Sequence, residues 1–92
     1  MTDREKFEAY DKKNPKIWEA FKKFAFEAID AGHERISHWL IMNRVRWETE
    51  IVTNEKFKIS NNYIAYYARK WQDQYPDHAE LFKTKKLKYE DA

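Results

Sequence analysis

Punctuation is scarce in this chain. Gly32, Pro15 and Pro76 are its only glycine and prolines across 92 residues, which leaves few points where a helix or strand must stop. That predicts mostly regular structure with short connections, and it excludes a glycine-rich phosphate loop, which cannot be built from Gly32 alone. Within those limits the stretch Phe57 to Trp71 is the most informative. Ser60 precedes a periodic run and is placed to cap it. At about 100° per residue, Tyr63, Ile64, Tyr67, Ala68, Trp71 and Tyr75 share one side of a helix, while Asn62, Ala65, Tyr66, Arg69, Gln72 and Asp73 share the other. Pro76 ends the run, because the residue before a proline avoids the α region. The first side predicts a core face. Tyr66 is an aromatic on the polar side, read either as a ring half-covered by a neighbouring loop or as a stacking or interface residue.

Taken in order, residues 3–11 predict a short amphipathic helix held by Phe7 and Tyr10 and too short to be stable alone. Asn14-Pro15 is a start signal, with Asn14 as cap and Pro15 in the first helical position. Ile17, Trp18, Phe21, Phe24, Ala25, Ala28 and Ile29 then form a broad stripe that Gly32 terminates. Phe26 falls among the charges opposite, as an ordinary exposed ring or part of a partner-binding patch. Ser37 caps the next segment. His38 to Trp47 is apolar nearly all round, which predicts a central, buried helix. Its exceptions, Arg44 and Arg46, read as snorkelling side chains paired with Glu48 or Glu50 rather than as phosphate contacts.

Thr49, Ile51, Phe57 and Ile59 alternate with polar neighbours around Thr53-Asn54-Glu55-Lys56, the pattern of a small β-hairpin near 49–59. Residues 77–82 allow one more helical turn with Leu81 and Phe82 inward, and the basic Lys83 to Tyr89 reads as a third strand or a disordered tail. The expected fold is therefore mainly α with a small β-hairpin, one compact helical domain of helix-turn-helix or winged-helix type. Helices are expected near 14–31, 37–47 and 61–75, and 1–13 and 84–92 are the least constrained ends. Trp18, Phe21, Phe24, Ile41, Val45, Ile64, Tyr67 and Trp71 form the expected core.

The available chemistry points away from catalysis. No cysteine is present, so there is neither a disulfide framework nor a thiolate metal site. His33, His38 and His78 have no zinc-site spacing. Ser37 and Ser60 read as caps rather than nucleophiles. Glu48 and Glu50 would share a strand face, but a solvated face explains them. The expectation is a protein with no enzymatic activity, cofactor or metal. Met1 to Lys6 lacks an apolar signal core and no run reaches membrane-spanning length, which predicts a soluble cytoplasmic protein that does not engage a membrane.

Binding is the better lead. The net charge of +2 permits a nucleic-acid partner without demanding one. Asn62, Arg69 and Gln72 have the side chains that read base edges, with Tyr66 beside them, and Lys70, Lys83, Lys85, Lys86 and Lys88 are candidate phosphate contacts for DNA. Two features depart from a winged helix: the hairpin precedes the recognition helix, and Asp73 on the same face would repel phosphate.

Asn14-Pro15-Lys16-Ile17-Trp18, Arg44-Val45-Arg46-Trp47-Glu48, Phe57-Lys58-Ile59-Ser60-Asn61-Asn62-Tyr63 and Tyr67-Ala68-Arg69 together resemble small uncharacterised proteins encoded by phages and prophages, over Asn14 to Lys88. The resemblance transfers no activity. It implies a bacterial host cytoplasm and a rival function, because small phage proteins often bind and redirect a host protein. Phe26 and Tyr66 are the candidate anchors for such a partner.

Overall fold

The computed structural model describes residues 2–82. They form α1 (Asp3–Lys13), α2 (Pro15–Asp30), α3 (His38–Trp47), a π-helical turn (Glu48–Val52), α4 (Asn61–Gln74) and a 3-10 segment (Pro76–Leu81). The fold is mainly helical, and no strand occurs among the described residues.

The helix ends follow local chemistry. Thr2 and Glu5 make a reciprocal capping box at the start of α1. Ser37 Oγ accepts from the Trp39 N–H at 3.2 Å, and Ser60 Oγ accepts from the Asn62 N–H at 3.3 Å, so both expected serine caps are present. Pro15 opens α2 without a side-chain cap. Asn14 turns the other way instead, its Nδ2 donating to the Tyr10 carbonyl at 2.9 Å, so it closes α1 rather than capping α2. Gly32 stands just beyond α2 with φ +94°. The N–H of Gly32 donates to the Ile29 carbonyl at 2.9 Å and that of His33 to Ala28 at 3.0 Å. That is a Schellman closure, and its left-handed residue favours glycine.

The core is aromatic. Phe21, Tyr67, Trp71 and Phe82 are fully buried, and every residue expected in the core is buried. The Phe21 and Tyr67 rings lie 5.8 Å apart, Phe21 and Phe82 5.2 Å, and Trp71 and Phe82 5.7 Å. Trp71 Nε1 donates to the His78 carbonyl at 3.0 Å, so the one polar atom of that buried ring is satisfied. The 3-10 segment brings Leu81 and Phe82 inward, and the Leu81 carbonyl accepts from the Ile36 N–H at 2.9 Å.

Two further expectations are corrected. The hairpin near 49–59 is absent. The chain leaves α3 in a widened turn in which the Thr53 N–H donates to the Glu48 carbonyl at 3.0 Å, then runs without regular structure to Ser60. Thr49 Oγ1 donates to the Val45 carbonyl at 2.9 Å and Thr53 Oγ1 to Thr49 at 2.6 Å. These bonds reach back four residues along a helix, and the alternation mimicked a strand only because the window is short. Phe57 is buried and Ile59 half-buried in a segment that is not a strand. Without a hairpin the described residues contain no wing.

The second correction concerns α3, which is buried on one side only. Ile41, Met42 and Val45 face the core, while Trp39, Leu40 and Trp47 are exposed. The body measures 19 Å in its thinnest direction, about two helix diameters. A helix in so thin a body keeps a face in water whatever its sequence.

Candidate functional site

The outward face of α4 does not assemble as its sequence suggests. Asn62 is exposed in the first turn. Tyr66 is half-covered, but by α1: its ring stacks on Phe7 with centroids 5.3 Å apart. The Arg69 guanidinium lies 5.4 Å from the Tyr66 ring. Lys70 pairs with Asp11 of α1, and its ammonium lies 4.6 Å from the Trp18 ring. Gln72 points away from this group. Its Nε2 donates to the carbonyls of Ala79 at 3.2 Å and Phe82 at 2.7 Å, which ties the 3-10 segment to α4.

Tyr66, Arg69 and Lys70 thus border a cleft whose other walls include Arg4, Glu8, Asp11 and Asp73. Three basic groups (Arg4, Arg69, Lys70) and three acidic ones (Glu8, Asp11, Asp73) line it, so no single sign of charge dominates. Lys83, Lys85, Lys86 and Lys88 lie outside the described residues.

Beneath the cleft sits the most perturbed group of the fold. The Tyr67 hydroxyl and Asp11 Oδ1 are buried with no hydrogen-bond partner among the described residues. Burial, then the nearby Asp11 charge, then Tyr10, push the Tyr67 phenol far above its usual range. A phenol held neutral in this way is no general base near neutral pH.

Phe26 is also placed differently from a free surface ring. It is half-buried, with its centroid 4.9 Å from Trp71 and 5.1 Å from Tyr75, and so packs α2 against the end of α4.

The exposed apolar surface lies elsewhere. Trp39 is 43% exposed, Leu40 57%, Trp47 56%, Ile51 60% and Val52 61%. Leu40, Trp47 and Ile51 recur at intervals of seven and four, one helical face carried from α3 into the π turn. Arg44 borders it, paired with Glu48 at 2.9 Å and 5.1 Å from the Phe24 ring. Arg46 lies 5.9 Å from the Phe57 ring. The expected pairing of an arginine with Glu48 is therefore present, whereas the pairing of two glutamates on a strand is not.

The reading from sequence missed this surface. The available signal was the apolar girth of His38 to Trp47, in a chain too short to wrap a helix on every side.

Among the described residues there is no group of three or more His, Cys, Asp or Glu arranged to hold a metal, and no helix long and apolar enough to cross a membrane. Compared with protein-family models, with curated proteins and with solved structures, the chain matches none.

Proposed function

We propose that this protein is a small interaction module that docks on another protein surface through α3 and the π turn. The carrying observation is the set of five large exposed apolar side chains between Trp39 and Val52, two of them tryptophans and three of them (Leu40, Trp47 and Ile51) on one helical face, in a fold that buries its other large aromatics well. Such a patch lies near the upper end of what a monomer exposes, roughly 300–600 Å2, and patches of that size often serve binding. Tryptophan and arginine are also the side chains that most often dominate binding energy at protein interfaces. The resemblance to small phage and prophage proteins fits this reading, with a bacterial host protein as one class of target.

Nucleic-acid binding by α4, in the manner of a helix-turn-helix, has less support. Residues 48–60 separate α3 from α4, far more than the three or four residues of that motif's turn. Lys70 and Gln72 are held by Asp11 and by two backbone carbonyls, so reading a phosphate or a base edge would break contacts within the fold.

The test is affinity capture. Tagged native chain and a Leu40→Ser, Trp47→Ser variant serve as baits in nuclease-treated bacterial lysate supplemented with untagged chain. The reading expects a protein captured by the native bait and lost with the variant. Capture that vanishes with nuclease, or that the variant retains, refutes it.

A further inference from the structure

We infer that the occupant of the α3 face is a second copy of this chain, packed antiparallel about a two-fold axis close to Trp47. The inference rests on the reading of this face as protein-binding. It adds the partner and the geometry.

The first argument is area. Two tryptophans about half exposed and three aliphatic side chains about three-fifths exposed present on the order of 600 Å2 of apolar surface per copy. A symmetric pair uses the patch twice. With its polar borders included it reaches the range of about 1,200–2,000 Å2 that stable, specific interfaces bury. A two-fold pairing also requires the same patch to fit itself.

The second argument is charge, and it selects the orientation. Stepping about 100° per residue from Trp47, Arg44 and Glu48 fall on one flank of the stripe and Arg46 and Glu50 on the other. The 2.9 Å pair between Arg44 and Glu48 confirms the first flank. On both flanks the base precedes the acid, and Trp47 lies between them.

In an antiparallel pair each flank meets its own counterpart reversed. Arg44 then comes within two residues of level with Glu48 of the other copy, and Arg46 with Glu50, four opposite-charge neighbours about Trp47 against two like-charge ones, Arg46 with Arg46 and Glu48 with Glu48. In a parallel pair opposite flanks meet, and on the two edges together Arg44 lies beside Arg46 and Glu48 beside Glu50, four like-charge neighbours against two opposite-charge ones between Arg46 and Glu48. Like charges placed in that way reject a pairing, as the flanking charges of coiled coils do. The apolar residues agree with the antiparallel order, since Leu40 of one copy then comes within one helical turn of Val52 and Ile51 of the other, two and three residues along the axis.

The experiment is sedimentation of the full chain from low to high micromolar concentration, with circular dichroism to confirm that each variant stays helical. The native chain is expected to approach twice the monomer mass. Arg44→Glu alone and Glu48→Arg alone are each expected to weaken self-association at least about tenfold, since each places like charges across the axis. Mixed in equal amounts they are expected to regain the dimer mass, because each then supplies what the other lacks. An effect confined to the pair within one helix cannot produce that recovery.

A native chain that stays monomeric at every concentration overturns the inference, whether the face is taken by another protein or by residues 83–92. A mixture that remains monomeric while the native chain dimerises overturns the antiparallel geometry. The capture experiment separates the two levels. A monomer whose partner is lost in the Leu40→Ser, Trp47→Ser variant sinks the inference and leaves the reading of the face standing, whereas a monomer with unchanged capture sinks both.

Discussion

Gln72 Nε2 donates to the Phe82 carbonyl oxygen at 2.7 Å, and the same nitrogen also donates to Ala79. One amide thus satisfies two carbonyls where the chain turns back after α4. Gln72→Ala leaves both without that donor and is expected to cost about 1–3 kcal/mol. Chemical denaturation measures this directly. A variant as stable as the native chain would return Gln72 to the pool of side chains available for recognition.

Tryptophans at the two kinds of site should separate cleanly. Trp71 is fully buried among Phe26, Tyr75 and Phe82, and Trp71→Ala is expected to cost about 3–5 kcal/mol. Phe24→Ala belongs to the same class. Trp47→Ser and Leu40→Ser remove surface that is exposed in the monomer and, at concentrations too low for self-association, should change stability by no more than about 0.5 kcal/mol. Equal losses at Trp47 and Trp71 in urea titrations would mean that the α3 face is covered within the monomer.

This contrast marks where the sequence was readable. The helices from Pro15 and from Asn61 each carry an apolar stripe against a charged back, so periodicity alone places Phe21, Tyr67 and Trp71 inside. Ser37 and Ser60 are caps because their hydroxyls reach the next turn. The helix from His38 has no such contrast. With apolar residues at nearly every angle, its pattern says that it is a helix but not which side faces its neighbours. Thr49 and Ile51 misled for a related reason: two β-branched residues two apart fit a strand, and they fit the end of a helix whose threonines bond backward. Lys70 and Gln72 read as surface polars because nothing local reveals Asp11 or the turn at Phe82.

Alkaline pH should expose the Tyr67 environment. An unfolded phenol ionises near 10.0, and in the fold burial and the Asp11 charge raise that value. The stability contribution is therefore complete below about pH 10 and is lost as pH rises beyond it. Tyr67→Phe is expected to flatten that loss. Because the hydroxyl has no partner among the described residues, the variant should cost less than about 1 kcal/mol at neutral pH. Urea midpoints followed from pH 8 to about pH 11 test both points, and a variant as alkali-sensitive as the native chain refutes the assignment.

His38 works at the other end of the scale. Burial beside the rings of Trp39 and Phe82 lowers its pKa below the usual 6.5. Folded and unfolded states are both neutral there above about pH 6.5. Below that value the unfolded chain takes up the proton first, so stability falls as pH falls until the folded imidazole titrates as well. His38→Gln should remove this part of the acid dependence, which thermal midpoints between about pH 4 and pH 7 would register. An unchanged slope counts against it.

Phe7 meets Tyr66 and Tyr67 on α4, with ring centroids 5.3 and 4.8 Å away, although α2 and α3 lie between them in the chain. That contact closes a long loop, and its entropy is recovered only after α4 exists as a surface to dock on. The docking of α1 on α4 is therefore the costliest of its contacts to form, whereas its contact with the neighbouring α2 is local. Phe7→Ala is accordingly expected to raise the unfolding rate more than it lowers the folding rate, the two limbs of a denaturant chevron separating these effects.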